Sequence, residues 1–191
     1  MVFSLSTRNY GWMIVFIAFI LNAIAFGTMA SVSMFLKPLV HEFGWTRGSL
    51  SMGYTIMTLA TSVSGVLWSI LVDKYGSRWI SRLGAFTIGI PLILLSNMEN
   101  IADFYLYYFL FGAIGHATVT GPLYASVGLW FSRNVGLALG CTFAGSAVGQ
   151  GVIPYIARYL IDGYGWQQAY LYLGIGYLII AAPISLFLRE A

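Results

Sequence analysis

The chain has 191 residues, 59% of them hydrophobic and only 8% charged, with a net charge of +3 and a mean hydropathy of +0.83. Soluble domains carry roughly 25% charged residues, so this composition excludes a soluble globular domain and places the chain in a lipid bilayer. A single cysteine, Cys141, excludes a disulfide or cysteine-based metal framework.

A helix that crosses the hydrocarbon core needs about 20 predominantly apolar residues, and the gaps between ions supply six such runs. The first lies between Arg8 and Lys37 and predicts a span over about 12–36; it is too long for a signal peptide, and five more runs follow it. The second, between Arg47 and Asp73, predicts 48–72. The third, between Arg82 and Glu99, is short. Its helix is expected over 79–98, starting near Trp79 and letting Arg82 snorkel to the headgroups. The remaining runs lie between Asp103 and Arg133, Arg133 and Arg158, and Asp162 and Arg189, and predict spans over 103–130, 135–160 and 166–188. The runs are continuous rather than alternating, which excludes a transmembrane β-barrel and leaves helices. With no long linker or low-complexity tract, residues 1–191 read as one all-α, polytopic six-helix bundle.

Cytoplasmic loops carry excess Lys and Arg. With the N-terminus inside, Arg8, Lys74, Arg78, Arg82, Arg133 and Arg189 face the cytoplasm, against Lys37, Arg47 and Arg158 outside. Both termini are therefore expected in the cytoplasm, in a plasma or inner membrane. The positive charge is a topology signal, with no nucleic-acid patch.

The chain also repeats itself. "LVDKYG" at 71–76 returns as "LIDGYG" at 160–165, and "WTR" at 45–47 is echoed by "FSR" at 131–133. Three spans per repeat make the second copy inverted relative to the first, the 3+3 arrangement of each six-span half of a major facilitator transporter.

Asp73, Lys74, Gly76 and Arg78 fit the signature Gly-x-x-x-Asp-Arg/Lys-x-Gly-x-Arg-Arg/Lys between spans two and three of the major facilitator superfamily, which this chain resembles; Ser69 and Trp79 depart from it. "WFSRNVGLALGCTFAGSAVG" at 130–149 resembles the fifth-span signature of the monocarboxylate porters and oxalate/formate antiporters, with Asn134 and Val135 departing. "FLKPLVHEFGWTRGSLS" at 35–51 resembles their first external loop. The resemblance covers essentially the whole chain.

Asp73 falls at the C-terminal end of the second span, where the helix dipole disfavours an acid by about 0.3–1 kcal/mol, so it needs a partner. Asp73, Lys74, Gly76, Arg78 and, across the other loop, Arg133 are expected to form a cytoplasmic latch; the resemblance adds a helix N-terminus of an opposite half as partner to the carboxylate. Small residues at four-residue spacing, Gly136/Gly140 and Gly145/Gly149, together with Gly65 and Ser69, predict close helix packing.

Polar side chains inside spans are costly unless they face a cavity or a partner. Asn22, Tyr54, His116, Thr120 and Gln150 are therefore the candidate substrate path; His116 can titrate near neutral pH, and Asn22 and Gln150 can equally serve as interhelical hydrogen-bond partners. Tyr124, Tyr10 and Trp12 read as interfacial or packing residues. The substrate-linked lysine that the porters carry near the outer end of span one has Ala30 in its place here. No catalytic residue, cofactor or metal ligand set stands out.

The resemblance implies transport of a small organic anion, a monocarboxylate or dicarboxylate, by alternating access, as proton symport or anion exchange. It also implies that these spans are the N-terminal half, working with a C-terminal six-helix half that lies outside the sequence; a truncated or incomplete coding sequence is the simplest expectation. A half-size homodimeric transporter, built with a second copy of the chain, and a non-transporting membrane subunit are the alternatives.

Overall fold

The computed structural model describes residues 7–76, 83–84, 86–131 and 133–186, with side chains omitted at 7–9, 73, 120, 122 and 185–186. All the regular structure among the described residues is helical. Three helices, 10–43, 47–72 and 135–164, are long and apolar enough to cross a membrane.

Helix α1 (Thr7–Ala30) runs into α2 (Val32–Phe43) through a single turn residue, Ser31. Three hydroxyls turn back onto the helix around this residue: Thr28 donates to the Ile24 carbonyl at 2.6 Å, Ser31 to Gly27 at 2.8 Å and Ser33 to Ala30 at 3.0 Å. Pro38 removes a further main-chain donor inside α2. The helical path therefore continues to Phe43, past the expected end at residue 36, and stops where Gly44 takes φ +66°.

Helix α3 (Arg47–Tyr75) starts at Thr46, whose hydroxyl accepts the Ser49 N–H at 3.1 Å, and ends at Gly76 with φ +85°. Helix α4 (Gly89–Leu95) is all that a single element shows of the expected third span, whose first part lies largely outside the described residues. Helix α5 (Ile101–Leu110), capped by Asn100, continues through a π-helical turn over Phe111–His116 into α6 (Ala117–Leu129). Nothing in the hydropathy of the expected span 103–130 points to that turn. Helix α7 (Val135–Tyr164) begins after Asn134, which holds φ +61°, and α8 (Trp166–Leu186) follows Gly165.

The helices pair across the bundle rather than along the chain. The most extensive contact is α1 against α7; α3 packs on α5, the π turn and α6; α4 packs on α8. Lipid gives apolar helices no hydrophobic reason to associate, so close backbone approach must supply the packing. Accordingly, a Cβ at Gly145 would strike the Phe19 backbone, one at Gly149 the Ala23 backbone, and one at Gly112 the Met57 backbone.

One end of the bundle is filled by rings. Phe35 stacks on Tyr170 at 3.7 Å, Phe43 on Trp45 at 4.3 Å, and Tyr108 lies 4.6 Å from Phe104. The hydroxyls of Tyr108 and Tyr170 meet at 2.9 Å and satisfy each other inside this apolar layer.

Candidate functional site

The polar groups inside the bundle separate into a closed seam and an open cleft. In the seam, Asn22 of α1 is fully buried. Its Nδ2–H donates to the Thr142 carbonyl of α7 at 3.2 Å, and its Oδ1 accepts the Tyr124 hydroxyl of α6 at 3.0 Å. One amide thus ties three helices together, and Tyr124 also stacks on Phe143 at 4.3 Å. In this structure the Asn22 amide is enclosed and engaged on both sides, as an interhelical hydrogen-bond partner is.

One turn further along α1, Phe26 meets the ring of His116 edge-on at 4.6 Å. His116 ends the π turn and is 3% exposed. Asn22 and His116 therefore share the seam between α1 and the α5–α6 helix.

Tyr54 stands elsewhere. It lines a cleft of about 410 Å³ where the α1–α2 junction faces the start of α3, together with Ala30, Val32, Ser33, Leu36, Leu50, Ser51 and Thr55. Ser33 and Thr55 spend their hydroxyl protons on the carbonyls of Ala30 and Ser51 at 3.0 and 3.3 Å. Their oxygens remain acceptors, while Ser51 and Tyr54 can donate. The lining is thus four hydroxyls on an apolar wall, without a charge.

Gln150 is exposed on α7 beside Gly149, so the structure does not bring it to Asn22 or His116. The side chain of Thr120 lies outside the described residues, although its backbone is part of α6.

Of the expected latch, the backbone of Asp73 lies in the last turn of α3, but its side chain and all of Arg78 lie outside the described residues. Lys74 is exposed, with its ammonium 5.3 Å from the Tyr75 ring centre. Gly76 closes α3, and Arg133 is exposed immediately before Asn134.

The small residues divide as well. Gly145 and Gly149 lie against the α1 backbone, whereas a Cβ at Gly65, Gly136 or Gly140 would meet nothing within 4 Å. Among the described residues, the faces of α3 and α7 that carry Gly65, Gly136 and Gly140 are open at these positions. Ser69 is likewise exposed and turns its hydroxyl back to the Gly65 carbonyl at 2.8 Å.

Sequence reasoning passes over the donors of α3. Thr61 and Trp68, seven positions apart on one helical face, donate to the carbonyls of Gly112 and Ala113 at 3.2 and 2.7 Å. That spacing is the signal the sequence offers for them. Thr87, just before α4, donates to the Ile114 carbonyl at 3.0 Å. Arg158 and Asp162 pair at 2.8 Å near the end of α7, half-exposed, where such a pair contributes little. Among the described residues no cluster of His, Cys, Asp or Glu could hold a metal ion.

Long apolar helices, joined by glycine contacts and a few enclosed polar groups, define an integral, multi-pass helical membrane protein. The family description "Major Facilitator Superfamily" matches residues 12–191, and the chain belongs to that superfamily of membrane transporters. It is similar to monocarboxylate transporter 2 of Mus musculus, 30% identical over 87% of this chain and 34% of the relative. It is also similar to monocarboxylate transporter 1 of Bos taurus, 29% identical over 87% of this chain and 33% of the relative. Monocarboxylate transporter 3 of Mus musculus is 28% identical over 87% of this chain and 34% of that protein. The chain spans about a third of the length of these curated relatives.

Proposed function

We propose that residues 1–191 form the N-terminal six-span half of a transporter that moves a small organic anion, a monocarboxylate or dicarboxylate, by alternating access. The observation that carries this reading is the similarity to monocarboxylate transporters over 87% of the chain. The anion crosses as proton symport or anion exchange, with the N- and C-termini of this half in the cytoplasm.

The packing supports a 3+3 inverted repeat. Exchanging span one with four, two with five and three with six turns the α1–α7 pair into the pair of α3 with the α5–α6 helix, and maps the α4–α8 pair onto itself; the major contacts obey this exchange. The need for a second six-helix half is supported by the uncovered faces of α3 and α7, where Gly65, Gly136 and Gly140 leave room for close approach of another helix. It is supported also by chemistry: a carboxylate leaving water must exchange strong hydration for fixed donors, and the Tyr54 cleft supplies only neutral hydroxyls. In this reading the cleft is part of the substrate path, with His116 along the neighbouring seam, and the opposing half brings an Arg or Lys. The latch reading of Asp73, Lys74, Gly76, Arg78 and Arg133 belongs to the same proposal: Asp73→Asn should impair flux more than binding.

The test is reconstitution in liposomes. The 191-residue chain alone should take up no small carboxylate, with or without a pH gradient, whereas the chain joined to a second six-span half should show saturable uptake. Saturable uptake by the 191 residues alone, abolished by His116→Ala, would replace this reading with a homodimeric transporter.

A further inference from the structure

The carbonyls of Gly112, Ala113 and Ile114 follow one another in the π turn, and each accepts a side-chain hydrogen bond from another part of the bundle. The donors are Thr61 Oγ1 at 3.2 Å, Trp68 Nε1 at 2.7 Å and Thr87 Oγ1 at 3.0 Å. They approach from two elements, α3 and the segment before α4. A π turn closes i→i+5 bonds and accommodates one residue more than the α-helix it interrupts. The Gly112 carbonyl accepts the Ala117 N–H in this i→i+5 ladder, and a carbonyl's second lone pair is left for a donor from outside.

That extra residue decides which way the rest of the helix faces. Each helical residue advances the chain by about 100° and 1.5 Å. If the turn closed into plain α-helix, every later residue would move to the place its next neighbour now holds. Tyr124, half-buried and bonded to Asn22, would move to the exposed place of Ala125 and leave the Asn22 amide. Ala125 would move to the buried place of Ser126, and Gly128 to the place of Leu129, which is 68% exposed.

We propose that Trp68, Thr61 and Thr87 are positioning residues that hold the π turn open and thereby fix the facing of His116 and Tyr124 against α1. Trp68 is the most direct member, because its indole N–H goes to Ala113 alone; Thr61 is shared with the Met57 carbonyl and Thr87 with Gly84. The close seat of Gly112 on the Met57 backbone sets where the turn lies. The three donors set its register. That His116 faces a transported substrate rests on the transport reading above; the register does not.

The experiment places single nitroxide labels at Ala125 and at Gly128 of the full protein in lipid nanodiscs and reads their mobility without substrate. Ala125 is exposed, and a Cβ at Gly128 meets no neighbour within 4 Å, so both sites accept a label. In the Trp68→Phe, Thr61→Val, Thr87→Val triple variant the label at 125 should become restrained and the label at 128 freer. Trp68→Phe alone keeps the ring and should shift both spectra partway in the same directions, which covers failure of the triple variant to fold. Thr61→Ser restores a hydroxyl and should keep the parent spectra where Thr61→Val shifts them. Unchanged spectra at both sites in Trp68→Phe and in the folded triple variant would overturn the proposal and leave the turn to packing at Gly112. Because no transport is measured, this outcome is separate from failure of the transport reading.

Discussion

Two seams of the bundle solve the same problem differently. Between α1 and α7, backbones meet at Gly145 and Gly149, and polarity is carried by the Asn22 side chain, which bonds Tyr124 and the Thr142 carbonyl. Between α3 and the α5–α6 helix, backbones meet at Gly112, but the polar contacts run from Thr61 and Trp68 to main-chain carbonyls. A carbonyl held in its helix ladder keeps a second lone pair, which the first seam uses at Thr142 and the second at the consecutive Gly112 and Ala113. The first seam is thus a clasp centred on one side-chain amide, and the second a grip on consecutive main-chain carbonyls.

The largest effect is expected where that first seam depends on the absence of a Cβ. Gly149→Leu would drive a side chain into the Ala23 backbone and should cost about 3 kcal/mol or more. Gly140→Leu, on an open face, should leave the unfolding midpoint of this chain nearly unchanged. Thermal unfolding in detergent measures both; equal losses would mean that glycine placement does not distinguish the faces.

Next comes the clasp itself. Asn22→Leu leaves the Thr142 carbonyl and the Tyr124 hydroxyl without their buried partner and should cost about 1–2 kcal/mol. Tyr124→Phe should cost about 0.6 kcal/mol, the ordinary worth of an interhelical hydrogen bond in a membrane protein. In a double-mutant cycle the two losses should not add. Simple additivity would show that the amide and the phenol act separately.

Thr61→Val tests the second seam with a side chain of nearly the same shape. It removes one of the grips on the π turn and should cost about 0.5 kcal/mol, less than Asn22→Leu, because Trp68 and Thr87 remain. A loss equal to that of Asn22→Leu would reverse the ranking of the seams.

The smallest change is expected away from both. The Tyr177 hydroxyl is buried with no hydrogen-bond partner among the described residues, so Tyr177→Phe should be neutral or stabilise by up to about 1 kcal/mol. Destabilisation on the scale of Asn22→Leu would reveal a partner for that hydroxyl.

Part of the candidate site is legible in the residues alone. Asn22 stands out because an amide in an apolar run must find a partner, and it has partners on two other helices. Tyr54 and His116 stand out for the same reason and fall in different places, one in a hydroxyl-lined cleft and one in a seam. The glycines of α7 are visible as two pairs, yet only Gly145 and Gly149 meet α1, since four-residue spacing gives a stripe on a helix without saying which stripe is covered. Thr61, Trp68 and Thr87 are not legible in this way, because threonine and tryptophan are unremarkable in a span. Their meaning lies in carbonyls 27 to 51 positions away.

By itself the sequence determined that this chain is a helical membrane protein, because hydropathy summed over about 20 residues decides between water and lipid with no reference to neighbouring helices. It also carried the superfamily, since loop signatures are local patterns, and the match over residues 12–191 agrees. The tertiary structure decided which helices pair and that a π turn joins α5 to α6. Those outcomes depend on contacts such as Asn22 with Thr142, 120 positions apart. A difference of a single residue in helical register, about 100° of rotation, changes every side chain presented to a neighbour while leaving the average hydropathy untouched.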